Sequence, residues 1–213
     1  FLSTTTHAES PIKKFGLGRL EYPVDIALNI VDGEVYVSDM AAHQIVVFDL
    51  NGEFLRTIGQ RGTARCQFIS PSGIFFDSAS SLLYVADRIN SRIQVISPEG
   101  KGAFVRQLER KGQLEDPTDV AVHPVTRQIF VCDGEGCCIE VFDEQGNFQY
   151  RFGSRYLSPF RLCIDSIADE LLVVECTYGS QHSTLTCFST KGERLRSFRC
   201  LFCHYPSGVE IHP

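Results

Sequence analysis

Tryptophan is absent from this sequence, and methionine occurs once, as Met40. No stretch approaches the ~20 consecutive apolar residues that a helix needs to cross a bilayer. No apolar stripe of useful length recurs at the helical period, which excludes a helical solenoid. There is no N-x-[ST] glycosylation acceptor. The nine cysteines are an odd number, and several, such as Cys132 and Cys176, sit inside apolar strand-like runs, where a thiol behaves as a small hydrophobe. A reducing, cytoplasmic setting is expected from these features. The formal net charge of −6 argues against a surface that coats nucleic acid generally, but leaves a local basic patch open. The opening FLSTTTHAES has neither an initiator Met nor an apolar signal core, so a fragment boundary is expected there.

What the sequence does have is a repeat. Four segments align, beginning at Pro23, Pro71, Pro117 and Pro159, with a fifth starting at Pro206. An acidic residue follows each of the first four prolines at the same spacing: Asp39, Asp87, Asp133 and Glu175. In the first three copies an Ile (Ile45, Ile93, Ile139) and a Gly (Gly52, Gly100, Gly146) keep fixed positions after it, whereas the fourth copy carries extra residues in TYGSQHST. Within each unit, turn signals such as Asp32-Gly33 and Asn51-Gly52 separate four short apolar runs. Four antiparallel strands per ~45 residues predict the blade of a β-propeller. The expected organisation is an N-terminal segment, 1–22, with an outer strand of a preceding blade, then repeats 23–70, 71–116, 117–158 and 159–205, and the start of a fifth at 206–213. The expected fold class is all-β, with four full blades and partial strands at both ends of a five- or six-bladed ring. Sequence beyond Pro213 is expected to supply the missing strands, because an open arc would expose two apolar blade faces. Residues 11–16 paired directly to 207–212 would refute that expectation.

The second copy, PSGIFFD…LYVADRINSRIQVISPEG, resembles the NHL repeat, whose pattern runs P-x-G, an apolar strand, YVaD-x-x-N-x-R-I-q-v-f and a closing Gly. The resemblance extends over 23–213. The other copies depart from it: Ala42 and Gln44 replace the Asn and Arg in the first, Gly136 and Cys138 in the third, and Glu175 replaces the Asp in the fourth. The resemblance implies a non-catalytic interaction domain of the kind found at the C-terminus of TRIM and other RING-type ubiquitin ligases. Such a domain recruits a protein substrate or single-stranded RNA and uses no cofactor. No RING or B-box pattern of Cys and His occurs in this chain, so ligase activity is expected to lie outside it.

The carboxylate persists in every copy while its Arg partner appears once, as Arg92. Asp39, Asp87, Asp133 and Glu175 are therefore expected to be structural, accepting N–H groups of the following turn as Asx turns do. Arg92 should add under ~1 kcal/mol if exposed. Cys200-Leu-Phe-Cys203-His204 matches a haem-attachment or half-zinc pattern, but no second axial Met or second CxxC accompanies it, and loop thiols are expected. Cys137-Cys138 leaves a vicinal disulfide open. The alternative to a binding module is a propeller enzyme, a metal-dependent hydrolase or lyase with its site at the central channel. Asp25 and Asp119, near the starts of inner strands, could share a cation there, but no His recurs with them and no metal or catalytic site is expected. The face formed by the loops between blades and the entries to the inner strands gathers Arg61, Arg65, Arg155, Arg161 and Arg199 with Tyr156, Phe160 and Phe202, a partner-binding set suited to RNA or to a protein hot spot. The opposite face, with turns such as 77–80, is expected to be more acidic.

Overall fold

The computed structural model describes residue 16 and residues 18–108, 114–153, 158–176 and 182–201. They form four antiparallel four-stranded meanders. The first contains β1 (Pro23–Asn29), β2 (Glu34–Asp39), β3 (Gln44–Asp49) and β4 (Phe54–Ile58). The second contains β5 (Pro71–Asp77), β6 (Leu82–Asp87), β7 (Arg92–Ser97) and β8 (Ala103–Leu108). The third contains β9 (Pro117–Val122), β10 (Ile129–Asp133), β11 (Cys138–Phe142) and β12 (Phe148–Gly153). The fourth contains β13 (Pro159–Asp165), β14 (Glu170–Cys176), β15 (His182–Ser189) and β16 (Arg194–Leu201). The repeat prolines thus open the four inner strands, where a missing N–H costs no ladder bond inside the sheet.

These sheets are blades. The inner strands contact in sequence, β1 against β5, β5 against β9 and β9 against β13. The cores lie between sheets: Tyr36, Ile45, Val47 and Ile58 of the first blade meet Ile74, Leu83, Val85 and Ile96 of the second. The same stacking joins the second blade to the third through Tyr84, Ile93, Val95 and Leu108 against Val120, Val122, Ile129 and Val131. Ala121, Phe130, Ile139 and Val141 pack on Leu162, Leu171, Val173 and Phe188 of the fourth. That is why runs such as IVVF and LLYV are apolar on both faces: each middle strand is covered twice. Each fully buried aliphatic side chain contributes roughly 1.5–3 kcal/mol. The outer strand β12 alternates between half-buried and exposed, with one face turned to water.

The two end faces differ from the inner ones. On the first blade, the side away from the second blade carries Val35, Val37, Val46 and Phe48 under Leu20, but leaves Ile26 and Leu28 half exposed. On the fourth, Phe198 is exposed. The pairing of residues 11–16 with 207–212 lies outside the described residues. Asp77, expected among the free acids of the far face, is buried and held by Arg127 Nη1 at 3.0 Å. No helix among the described residues is long and apolar enough to cross a membrane.

Candidate binding face and central channel

The repeated carboxylates do more than hold the following turn. Asp39 accepts the Ala42 N–H at 3.1 Å from that turn, but also the N–H groups of Glu21 at 2.6 Å and Tyr22 at 2.9 Å. Asp133 repeats the pattern, accepting from Gly136 at 3.1 Å and from Glu115 and Asp116 at 3.0 and 2.8 Å. Asp87 accepts the Ile69 N–H at 2.8 Å and the Asn90 side-chain amide at 2.9 Å. Each of these carboxylates therefore clamps the residues just before the blade's own proline to the end of its second strand. A buried N–H left unpaired costs ~1–3 kcal/mol, so the fixed spacing from Pro to Asp follows from the chemistry of the clamp. Among the described residues, Glu175 accepts the Thr186 hydroxyl. Arg92 does form the ion pair, and it is not exposed: its side chain is 11% exposed, with Nε 2.8 Å from Asp87 and Nη2 on the carbonyls of Ala64 and Gln67. A buried pair of this kind is costly to break from either side.

A second carboxylate set lines the channel. The position two residues after each proline holds Asp25, Gly73, Asp119 and Arg161. Asp25 accepts the Ile26 N–H at 2.9 Å and, across the blade boundary, that of Ile74 at 2.8 Å. Asp119 does the same with Val120 and Leu162, both at 2.9 Å. Gly73 is required beside Asp119, because a Cβ there would lie 2.6 Å from the Asp119 Cα. Arg161 is the main departure from the sequence expectation. Rather than facing solvent on the partner-binding face, it is 2% exposed. As part of an inner strand it points to the axis, where Nη1 donates to the Thr118 carbonyl at 3.0 Å and Nη2 to the Val24 carbonyl at 3.3 Å. Burial pushes the Asp119 carboxyl up to about 7; the Arg161 charge opposes the rise and Asp25 adds to it. Burial likewise raises Asp25, with Arg161 again opposing.

Arg161 lines two cavities. One, of about 420 Å³, is walled by Asp25, Phe75, Asp119 and Leu162. The other, of about 590 Å³, opens among Tyr22, Met40, Arg88, Asp116, Phe160 and Glu135 at the loop-face end of the channel. Phe160 is half-buried at this mouth, with the Arg161 guanidinium 4.8 Å above its ring. Arg61 and Arg65 are exposed in the segment leading to the second blade, Arg65 stacked 4.8 Å over Phe104. Arg199 is exposed on β16. Arg155, Tyr156 and Phe202 lie outside the described residues, as do Cys203 and His204. Sequence reasoning missed Tyr22, Met40 and Arg88, which the fold brings to the mouth, together with exposed Ile89 on the neighbouring turn. Tyr22 sits directly before a repeat proline, and that position was the available signal. Cys137 and Cys138 are free thiols, so the vicinal disulfide is not formed.

Residues 24–100 match the family model DUF5128, described as a 6-bladed beta-propeller. The chain is 30% identical over 146 residues to Protein brain tumor of Drosophila melanogaster, covering 67% of this chain and 14% of that protein. It is 33% identical over 146 residues to the B-box type zinc finger protein ncl-1 of Caenorhabditis elegans, covering 67% and 16%. Peptidyl-glycine alpha-amidating monooxygenase A of Xenopus laevis is 33% identical over 131 residues, covering 55% and 14%. The chain thus spans about a seventh of the length of these curated relatives. Among solved structures, Kuenenia stuttgartiensis hydrazine synthase aligns with a TM-score of 0.69 at 14% identity, covering 91% of this chain and 52% of that one. A chain of a nidogen/laminin complex aligns at 0.67 and 16%, covering 84% and 64%. Repeat, blade topology and these likenesses agree: the chain is a β-propeller domain.

Proposed function

We propose that this propeller is a non-catalytic interaction module of the NHL type whose loop face recruits a protein partner. The cavity of about 590 Å³ at the channel mouth carries the reading, since its apolar rim of Tyr22, Met40 and Phe160 is backed by the Arg88–Asp116 pair and floored by Arg161. Apolar anchors inside a ring of satisfied charge suit a protein hot spot. The NHL assignment is supported by DRINSRIQVI at 87–96 and by the likeness to brain tumor and ncl-1. The likeness to ncl-1, a protein named for its B-box zinc finger, fits a recognition domain of a RING-type ubiquitin ligase whose catalytic part lies outside this chain. Buried free thiols at Cys132, Cys138 and Cys187 support a cytoplasmic setting.

Single-stranded RNA is the second reading, favoured by exposed Arg61, Arg65 and Arg199. A channel hydrolase or lyase is disfavoured, because the Arg161 guanidinium already supplies the positive charge that faces Asp25 and Asp119 and lines both cavities where a cation would have to enter. Partner capture from lysate, run beside a labelled poly-U titration at two salt concentrations, tests the proposal. Tyr22→Ala with Ile89→Asp should abolish protein capture, while Asp143→Lys on the far face should leave it intact. Loss with Asp143→Lys alone would place the site on the wrong face. Salt-sensitive poly-U binding lost in Arg65→Glu would favour RNA.

A further inference from the structure

One buried cluster has no place in the binding face. At the loop-face end of the third blade, Asp133, Cys138 and Glu140 bring a carboxylate oxygen, a sulfur and a second carboxylate oxygen within 4.8 Å of one another, all three residues buried. The repeat supplies its own comparison. In the second blade the matching positions are Asp87, Arg92 and Gln94, and there the Arg92 guanidinium and the Gln94 amide both donate to Asp87 Oδ2, at 2.8 and 3.1 Å. The third blade keeps the carboxylate and replaces both donors, the cation by a thiol and the amide by an acid. A position that holds positive charge in one blade is thereby rebuilt in the next with three groups that bind positive charge.

We propose that Asp133, Cys138 and Glu140 form a binding site for a divalent cation of the zinc class. One thiolate with two carboxylates is a donor set that such borderline-soft ions accept, and a tetrahedral ion holds its ligand atoms about 3.5 Å apart. Cys138 Sγ already lies 3.6 Å from Glu140 Oε1. Asp133 is fixed by three backbone N–H groups, which orient its carboxylate as supporting hydrogen bonds orient metal ligands elsewhere. A cavity of about 450 Å³ bounded by Glu115, Glu135, Cys138 and Arg151 gives access and room for a fourth ligand. The facing charges are Glu115 and Glu135, with Arg151 Nη1 3.8 Å from Glu140. Arg151 is more than half exposed and free to swing outward as the ion enters. Cys138 binds as thiolate, its proton passing to solvent.

The test is a titration of the metal-stripped chain with Co²⁺ alone, followed by its thiolate-to-cobalt absorption and by competition with Zn²⁺. Cys200 and Cys203 are rival ligands, so Cys200→Ala/Cys203→Ala serves as the background. The proposal expects the band in this background, its loss in added Cys138→Ser, and at least tenfold weaker binding in added Glu140→Gln. Should Cys138→Ser fail to fold, the Glu140→Gln loss carries the decision by itself. A band absent from the Cys200→Ala/Cys203→Ala background, or one that survives Cys138→Ser or Glu140→Gln at full affinity, would overturn it.

Discussion

Two sets of carboxylates hold this molecule, and they hold different things. Asp39, Asp87 and Asp133 work within a blade, tying the residues before its first strand to the end of its second. Asp25 and Asp119 work between blades, each accepting the N–H of the next inner strand. The first set repeats because each of these three blades fastens its own incoming loop. The second does not, since Gly73 makes room for Asp119 and Arg161 supplies the opposing charge. A column of identical acids around one axis would repel itself. The variation is what a shared channel requires.

The largest expected effect breaks the channel set at its cation. Arg161→Ala leaves buried Asp119 and half-buried Asp25 without their neighbouring charge and should cost about 3–5 kcal/mol in urea unfolding. A cost under 1 kcal/mol would mean that the channel is hydrated enough to screen them. Next, Gly73→Ala forces a methyl against the Asp119 backbone and should cost about 1–3 kcal/mol, whereas Gly18→Ala meets no neighbouring atom and gives only the strain of its positive φ for comparison.

A smaller effect sharpens the comparison through pH. The Asp119 carboxyl is raised from its usual 3.8 to about 7 by burial. Between those values the folded state binds more protons at this site than the unfolded chain, so this residue's contribution to stability falls as pH rises from about 4 to 7 and is flat above. Asp119→Asn should therefore show a shallower decline of melting temperature over that range than the wild type. An equal slope in both would deny the raised carboxyl. The smallest effect is expected at Arg65→Glu, within about 0.5 kcal/mol of wild type, because its guanidinium is exposed and stacks only on Phe104.

The two sets were not equally legible in the sequence. The clamp could be read from its spacing, because a hydrogen bond within one blade leaves the same mark in every copy. The following-turn donors Ala42 and Gly136 were legible, but the further partners at Glu21, Tyr22, Glu115 and Asp116 were not, since they precede the proline rather than follow the acid. Arg161 was legible as the entry to an inner strand but not as buried, because Phe160 beside it and the arginines of the loops suggested an exposed binding rim. The repeat placed Asp25 and Asp119 together at the channel, but only the ring shows that Gly73 makes room for Asp119 and that the Arg161 charge opposes both acids. At the channel mouth Phe160 was named but Tyr22, Met40 and Arg88 were not, because Tyr22 and Met40, Arg88 and Phe160 come from three different blades.

The central claim is that the repeated carboxylate is structural and that recognition lies elsewhere on the loop face. Urea unfolding of Asp87→Asn, with partner capture measured on the same sample below its unfolding transition, tests it most directly. The substitution weakens the Arg92 pair and the Ile69 clamp, so stability should fall by about 2–4 kcal/mol while capture by the folded fraction is unchanged. Unchanged stability with lost capture would contradict the claim.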